Sequence, residues 1–238
     1  MFCQQCGNTL NSDVIFCPAC GRQQTVIAGN TPPPLPAGNA ISPAIPFRPP
    51  VAIRATGGQW ISQAWEVVKT DIGLFMGMTV LYLVIGSAGS VLTQGPMQAG
   101  FHLACMKKLT RGRMEIGDLF QGFNYFVAAF VAALIIALFA FVGFLLCIIP
   151  GLLVSAVYMF TYLFVVDKRL EFWPAMEASH AVVKNDYVGF TLFLLGLGLL
   201  NFIGILCCII GLLVTIPISI MAITIAYREL VGFEPATV

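Results

Sequence analysis

Three stretches of this chain contain no Asp, Glu, Lys or Arg: Ile72–Met106, Leu119–Val166 and Tyr187–Tyr227. Such runs belong in hydrocarbon, where every backbone N–H and C=O must find its partner within the protein, and a helix is the local structure that does this. A spanning helix takes about 20 apolar residues. The second and third stretches are each long enough for two spans, and the first for one full span plus a short or partly inserted helix. Each stretch has a turn signal inside it: Gly95-Pro96, Pro150-Gly151, and Gly211 with Pro217. The expected fold is an all-α membrane bundle of six helices in three hairpins.

Composition excludes the common alternatives. The chain is 58% hydrophobic and 10% charged, where a soluble domain has about a quarter of its residues charged. With 12 Lys+Arg against 11 Asp+Glu, too little charge exists to clothe a water-facing surface. A soluble globular enzyme, a disordered chain and a nucleic-acid binder working by bulk positive charge are set aside.

The charges that remain are placed, not scattered. Lys69, Lys107, Lys108, Arg111, Arg113, Lys168, Arg169, Lys184 and Arg228 fall at the open ends of the hairpins. The tips near Thr93–Met97, Cys147–Gly151 and Cys207–Gly211 carry none. By the positive-inside rule, the basic loops and both termini are expected in the cytoplasm. The opening MFCQQCGN lacks the charged start and apolar core of a secretory signal, which agrees with a cytosolic N-terminus.

The hairpins read as internal repeats. Phe141–Ser155 (FVGFLLCIIPGLLVS) aligns with Phe202–Thr215 (FIGILCCIIGLLVT) when Pro150 is skipped. Val67–Asp71 (VVKTD) matches Val182–Asp186 (VVKND), and Pro96 and Pro217 each open a helix that closes at Lys107-Lys108-Leu109 or Arg228-Glu229-Leu230. The copies start and end on the same side, so the repeats are parallel. An amphipathic elbow is expected before each hairpin. In the first, Trp60, Ile61, Ala64, Trp65 and Val68 share a face, with Gln63, Glu66 and Lys69 on another. Met114–Phe123 and Pro174–Lys184 take that place in the others, lying at the membrane interface.

Residues 1–24 form a module of different chemistry. Cys3-x-x-Cys6-Gly7 and Cys17-x-x-Cys20-Gly21 are matched knuckles, each bringing two sulfurs to one metal, with a glycine free to take the positive φ of the turn. Four thiolates make a closed tetrahedral site, so Cys3, Cys6, Cys17 and Cys20 are expected to hold one structural Zn2+. Val14-Ile15-Phe16 and the Asn11-Ser12-Asp13 turn suggest a β-hairpin zinc ribbon. Iron in a rubredoxin-like site uses similar spacing and is the alternative metal; a redox pair fits two matched knuckles poorly. A module this small has almost no core, so metal supplies about 10 kcal/mol or more of its folding free energy. Its one cation is Arg22, which leaves no phosphate-binding stripe, so no nucleic acid is expected and a protein partner fits better.

Residues 25–58 carry Pro32, Pro33, Pro34, Pro36, Pro43, Pro46, Pro49 and Pro50. Proline fixes φ and lacks the N–H, so the segment is expected to be an extended tether. The multi-pass domain then covers 59–232, with a short tail at 233–238.

Within the apolar stretches, Gln98, His102 and Cys105 recur on one helical face. They form either a polar lining or a stripe bonding neighbouring helices, and the second is favoured. Asn201, Thr215, Ser219 and Thr224 are expected to be helix–helix hydrogen bonders, and glycines 189, 196, 198 and 204 close-packing positions. Cys147 is positioned to meet Cys207 or Cys208 at the tips, although unpaired buried cysteine is the commoner outcome.

The opening MFCQQCGNTL…FCPACG resembles the short N-terminal zinc ribbon of many prokaryotic membrane proteins. The region from Trp60 to Leu230 resembles a multi-pass membrane family of unknown function. That likeness rests on GPMQAG, DLFQGF (Asp118–Phe123), IPGLL (Ile149–Leu153), the Ser-His-x-Val-Val-Lys segment (Ser179–Lys184) and AYREL (Ala226–Leu230). The resemblance implies a prokaryotic cytoplasmic membrane and supplies no reaction. The function expected is a non-enzymatic scaffold or adaptor whose ribbon binds a protein partner; the alternative is a transporter or channel for a small or lipidic molecule.

Overall fold

Apolar runs closed by charge fold here into paired helices. The computed structural model describes residues 54–146, 148–207 and 210–234. The ribbon cysteines, the proline-rich segment before Arg54, Cys147 and Cys208 lie outside the described residues. The described chain forms α1 (Gly57–Val68), α2 (Ile72–Arg111), α3 (Phe126–Leu146), α4 (Ile148–Val157), α5 (Thr161–Asp167), α6 (Phe172–Val183), α7 (Tyr187–Leu206) and α8 (Leu212–Leu230). Tight helical turns at Lys69–Asp71 and Ile116–Tyr125 complete it.

A straight helix of 40 residues, the length of α2, would run about 60 Å. Instead the Thr93 hydroxyl donates to the Ile85 carbonyl at 3.2 Å, and the Tyr82 and Phe101 rings lie 6.0 Å apart. The helix therefore folds back between Ser87 and Leu92, ahead of the expected tip at Thr93–Met97. The Gly86-Ser87-Ala88-Gly89-Ser90 run is the sequence feature that permits the turn. Gly95 serves packing: a Cβ there would stand 2.3 Å from the Ala129 carbonyl oxygen. The other two breaks lie between α3 and α4 and between α7 and α8, but Pro150 and Gly151, the expected turn signal of the second hairpin, already stand in the first turn of α4.

Among the described residues, four helices are long and apolar enough to cross a membrane: Ile116–Leu146, Ile148–Asp167, Tyr187–Leu206 and Leu212–Leu230. Gly57–Thr70 with Ile72–Ser87, bent by 101°, would make a fifth if taken as one span. The return arm of α2 falls outside that set.

The return helices are the inner ones. The most apolar windows of α3 and α7 are 22% buried, against 50% for α4–α5 and 61% for α8. Met97, Phe101, Leu103 and Met106 of the α2 return arm are buried as well. This arm, α5 and α8 meet at the centre, and Phe160 and Phe164 pack on Tyr227 at ring separations of 6.2 and 5.0 Å.

The repeat extends to the elbows. The outer helices begin directly after Asp71, Tyr125 and Asp186; at the far ends of the inner ones stand Leu109 in α2, Leu170 three residues beyond α5, and Leu230 closing α8. Aligned on those leucines, Met106, Asp167 and Tyr227 are equivalent, as are Lys108, Arg169 and Glu229. The Ile116–Tyr125 elbow packs on the α2 return arm, α6 packs on α5, and α1 packs on α8. Each elbow thus leans on the inner helix of the hairpin before it, and α1 closes the ring on the last one.

The first elbow differs in one respect from its expected face. Trp60, Ala64 and Val68 are buried, but Trp65 turns outward at 44% exposure. Phe120 and Trp173 do the same on the other elbows, at 45% and 52%. An outward aromatic on each elbow is what an interfacial position selects.

Candidate functional site

Two places collect the polar side chains of the described residues: a seam among the inner helices, and the charged end where elbows meet helix termini.

At the seam, His102 Nδ1 lies 2.9 Å from Thr224 Oγ1. The same Thr224 hydroxyl lies 2.8 Å from the Ile220 carbonyl of its own helix, so one hydroxyl serves both the helix and the imidazole across the seam. Nε2 is buried without a hydrogen-bond partner among the described residues. Cys105 is buried beside the same Thr224 hydroxyl. Gln98, half-buried, takes no part in this contact. Asn201 joins α7 to α8 by donating to Ser219 Oγ at 2.8 Å and to its own Leu197 carbonyl at 2.9 Å. The Thr215 hydroxyl has no partner among the described residues and instead abuts Gly204. The His102–Thr224 and Asn201–Ser219 bonds therefore tie neighbouring helices together, each worth about 1 kcal/mol.

Glycine spacing sets how closely these helices approach. A Cβ on Gly100 would stand 1.8 Å from the Leu119 carbonyl oxygen, and one on Gly122 2.0 Å from that of Pro96. The GPMQAG and DLFQGF segments are therefore two halves of one contact, between the return arm and the second elbow. Of the four glycines singled out in sequence, Gly189 and Gly204 sit at tight approaches, whereas Gly196 and Gly198 have room.

Ser179 of the third elbow repairs a break in the inner helix. The chain between α4 and α5 loses its regular bonding near Tyr158–Phe160; the Ser179 hydroxyl donates to the Val157 carbonyl at 2.6 Å and accepts from the Phe160 amide at 3.2 Å. Each such group left unpaired would cost about 1–3 kcal/mol.

The charged end is held by ion pairs and charged hydrogen bonds. Lys108 pairs with Asp71, and this hydrogen bond holds the Asp71 carboxyl below its ordinary value. Lys107 bonds Asp118 at 2.5 Å, and Asp118 in turn caps its own elbow by accepting from the Glu115 amide at 2.9 Å. The Trp60 indole donates to Glu229 at 2.6 Å, and the Ala55 amide to Asp186 at 3.1 Å. Asp167, fully buried, accepts from the Tyr227 hydroxyl and from the Glu234 amide, both at 2.9 Å. Lys168 is desolvated, which alone would lower its pKa. The Glu234 and Asp167 carboxylates outweigh that and raise it. Sequence reading missed Asp167, because a carboxylate at the edge of an apolar run looks like ordinary punctuation.

No three His, Cys, Asp or Glu side chains gather at metal-binding distance among the described residues. The four candidate zinc ligands, Cys3, Cys6, Cys17 and Cys20, lie outside them. Cys207 is exposed at the end of α7, and a pairing with Cys147 falls outside the described residues too.

Residues 2–23 match the zinc-ribbon domain. That stretch contains both cysteine knuckles. An uncharacterized protein of Mycobacterium bovis is 31% identical over 136 residues, which make up 57% of this chain and 42% of the relative. An uncharacterized protein of Mycobacterium tuberculosis strain CDC 1551 shares the same identity and coverage, and one of strain H37Rv is 30% identical. The chain thus spans 42% of the length of these relatives. No solved structure matches it.

Proposed function

We propose that this chain is a multi-pass protein of a prokaryotic cytoplasmic membrane. Its six helices form three hairpins, with the charged end and both termini in the cytoplasm. A β-hairpin zinc ribbon on the proline-rich tether, with one structural Zn2+ on Cys3, Cys6, Cys17 and Cys20, captures a protein partner. The protein works as an adaptor, without catalysis of its own.

One observation carries this reading. The centre of the bundle is filled by large buried side chains, among them Phe75, Met78, Phe101, Phe160, Phe164 and Tyr227. A transporter or channel needs a path between its helices, and His102, its best lining residue, is fully buried with Nδ1 bonded to Thr224. The zinc-ribbon match at residues 2–23 supports a separate recognition module, and four thiolates suit a closed metal site.

Crosslinking in native membranes tests the proposal. The intact protein is expected to yield a defined partner, and Cys6→Ser to lose it while the chain still inserts. Recovery of the same partner with Cys6→Ser would sink the ribbon's role. Flux in reconstituted vesicles that survives ribbon deletion and stops on changing Gln98 or His102 would favour transport instead.

A further inference from the structure

Among the described residues, Arg169 is the one non-glycine residue with a positive φ, 51°. That conformation costs an L-residue energy, and such strain collects where a side chain must be held in place. Arg169 lines an open pocket of about 290 Å³ at the base of the second hairpin, with Phe123, Tyr125, Val127, Leu170 and Glu171 also on its walls. Neither Arg169 nor Glu171 has a charged partner among the described residues, and they do not pair with each other.

The repeat says what is missing. In the first hairpin the equivalent cation, Lys108, is neutralised by Asp71, the residue just before the outer helix. In the second hairpin the residue just before the outer helix is Tyr125, which brings no charge. The cation is kept, its carboxylate is gone, and a pocket stands between the two positions. Other cations of this end also lack partners, but Arg169 alone combines the pocket with the left-handed backbone.

Next to the pocket the surface is apolar. Val127, at the start of α3, is 72% exposed, and α3 beyond it exposes Leu134 and Leu138. The site thus lies where the charged end meets the apolar flank.

We propose that this pocket binds the head group of an amine-bearing glycerophospholipid of the ethanolamine type. Its phosphodiester takes the place that Asp71 holds in the first hairpin and bonds the Arg169 guanidinium. Its ammonium faces Glu171, and its acyl chains run along the exposed face of α3. Glu171 argues against a purely anionic lipid, whose charge it would repel. The proposal rests on the membrane placement argued above. Resistance of the wild-type chain to carbonate extraction tests that placement separately, and extraction of the chain would remove the ground for a lipid site.

The test uses the full chain in detergent, titrated by native mass spectrometry with phosphatidylethanolamine, phosphatidylglycerol and inorganic phosphate. Wild type is expected to retain phosphatidylethanolamine at least tenfold better than phosphatidylglycerol. Arg169→Gln should lower that retention at least tenfold, and Glu171→Gln should remove the preference between the two lipids. Arg169→Gly relieves the left-handed backbone, so it should melt no lower than wild type and still lose the lipid. Unchanged retention in Arg169→Gln, or equal binding of both lipids by wild type, overturns the proposal. Displacement of the lipid by inorganic phosphate at millimolar concentration overturns it as well, leaving a free-anion site.

Discussion

The indole of Trp60 donates a 2.6 Å hydrogen bond to the carboxylate of Glu229, across 169 residues of chain. The ring itself is buried, stacked on Phe190 at 6.2 Å and edge-on to Phe193 at 5.1 Å. One side chain therefore joins the first elbow to both helices of the last hairpin.

Trp60→Phe keeps most of the packing and loses the donor, at an expected cost of about 1 kcal/mol because Glu229 is still reached by water. Trp60→Ala should cost about 3–5 kcal/mol through the cavity it leaves. Thermal unfolding in detergent reads both, and equal losses for the two variants would show that the hydrogen bond, not the ring, makes the joint.

Gly100→Ala or Gly122→Ala places a methyl against backbone, where no side chain can swing aside. Overpacking of this kind costs about 1–3 kcal/mol or more. Gly117→Ala lies in the same elbow with open space around it and should be close to neutral. Proteolytic release of the second elbow in the first two variants, but not in the third, is the expected result.

The Asp71–Lys108 pair makes an acid limb to stability. The hydrogen bond from Lys108 lowers the Asp71 pKa from its ordinary 3.8, so the folded state binds this proton less readily than the unfolded one. The pair's contribution is present above 3.8 and is lost as pH falls through the lowered value. Asp71 is 40% exposed, so the effect is small and salt-sensitive. Asp71→Asn should be slightly less stable than wild type at neutral pH, should flatten the stability–pH profile below pH 4, and should converge with wild type in acid, where the pair is already lost. A profile that keeps its full acid slope in the variant would assign that slope to other carboxylates.

Metal analysis of the intact chain should return one zinc per chain. Cys17→Ser or prolonged chelation should remove it and expose residues 1–24 to protease while the helical domain keeps its melting temperature. A preparation holding iron instead would favour the rubredoxin-like alternative.

Much of the helical architecture could be read from residue order because long runs without charge, closed by charge, mark where apolar helices begin and end. The tips between α3 and α4 and between α7 and α8 follow from where charge is absent, and the elbows from where tryptophan and phenylalanine gather. What could not be read depends on contacts between distant segments. Gly95-Pro96 looks like a turn, yet Pro96 stands near the start of a helical arm, where its missing N–H is tolerated, and Gly95 is needed to let α3 approach. Trp65 has the right spacing for the buried stripe and turns outward, because α8 meets a narrower face of α1 than the pattern allows. Asp167 carries no local signature and Arg169 reads only as one more basic residue at an open hairpin end; the alignment with Tyr227 and Lys108 is what sets them apart.

Closure of the ring by α1 makes the two ends of the described chain one mechanical unit. Before Gly57 the Ala55 amide is fastened to Asp186 at the start of α7, and Trp60 to Glu229 in the last turn of α8, so the first elbow is tied to both helices of the last hairpin. In that same turn Tyr227 bonds Asp167, which also grips the backbone at Glu234. The two ends of the described residues are thereby fixed to one another on the charged side of the bundle.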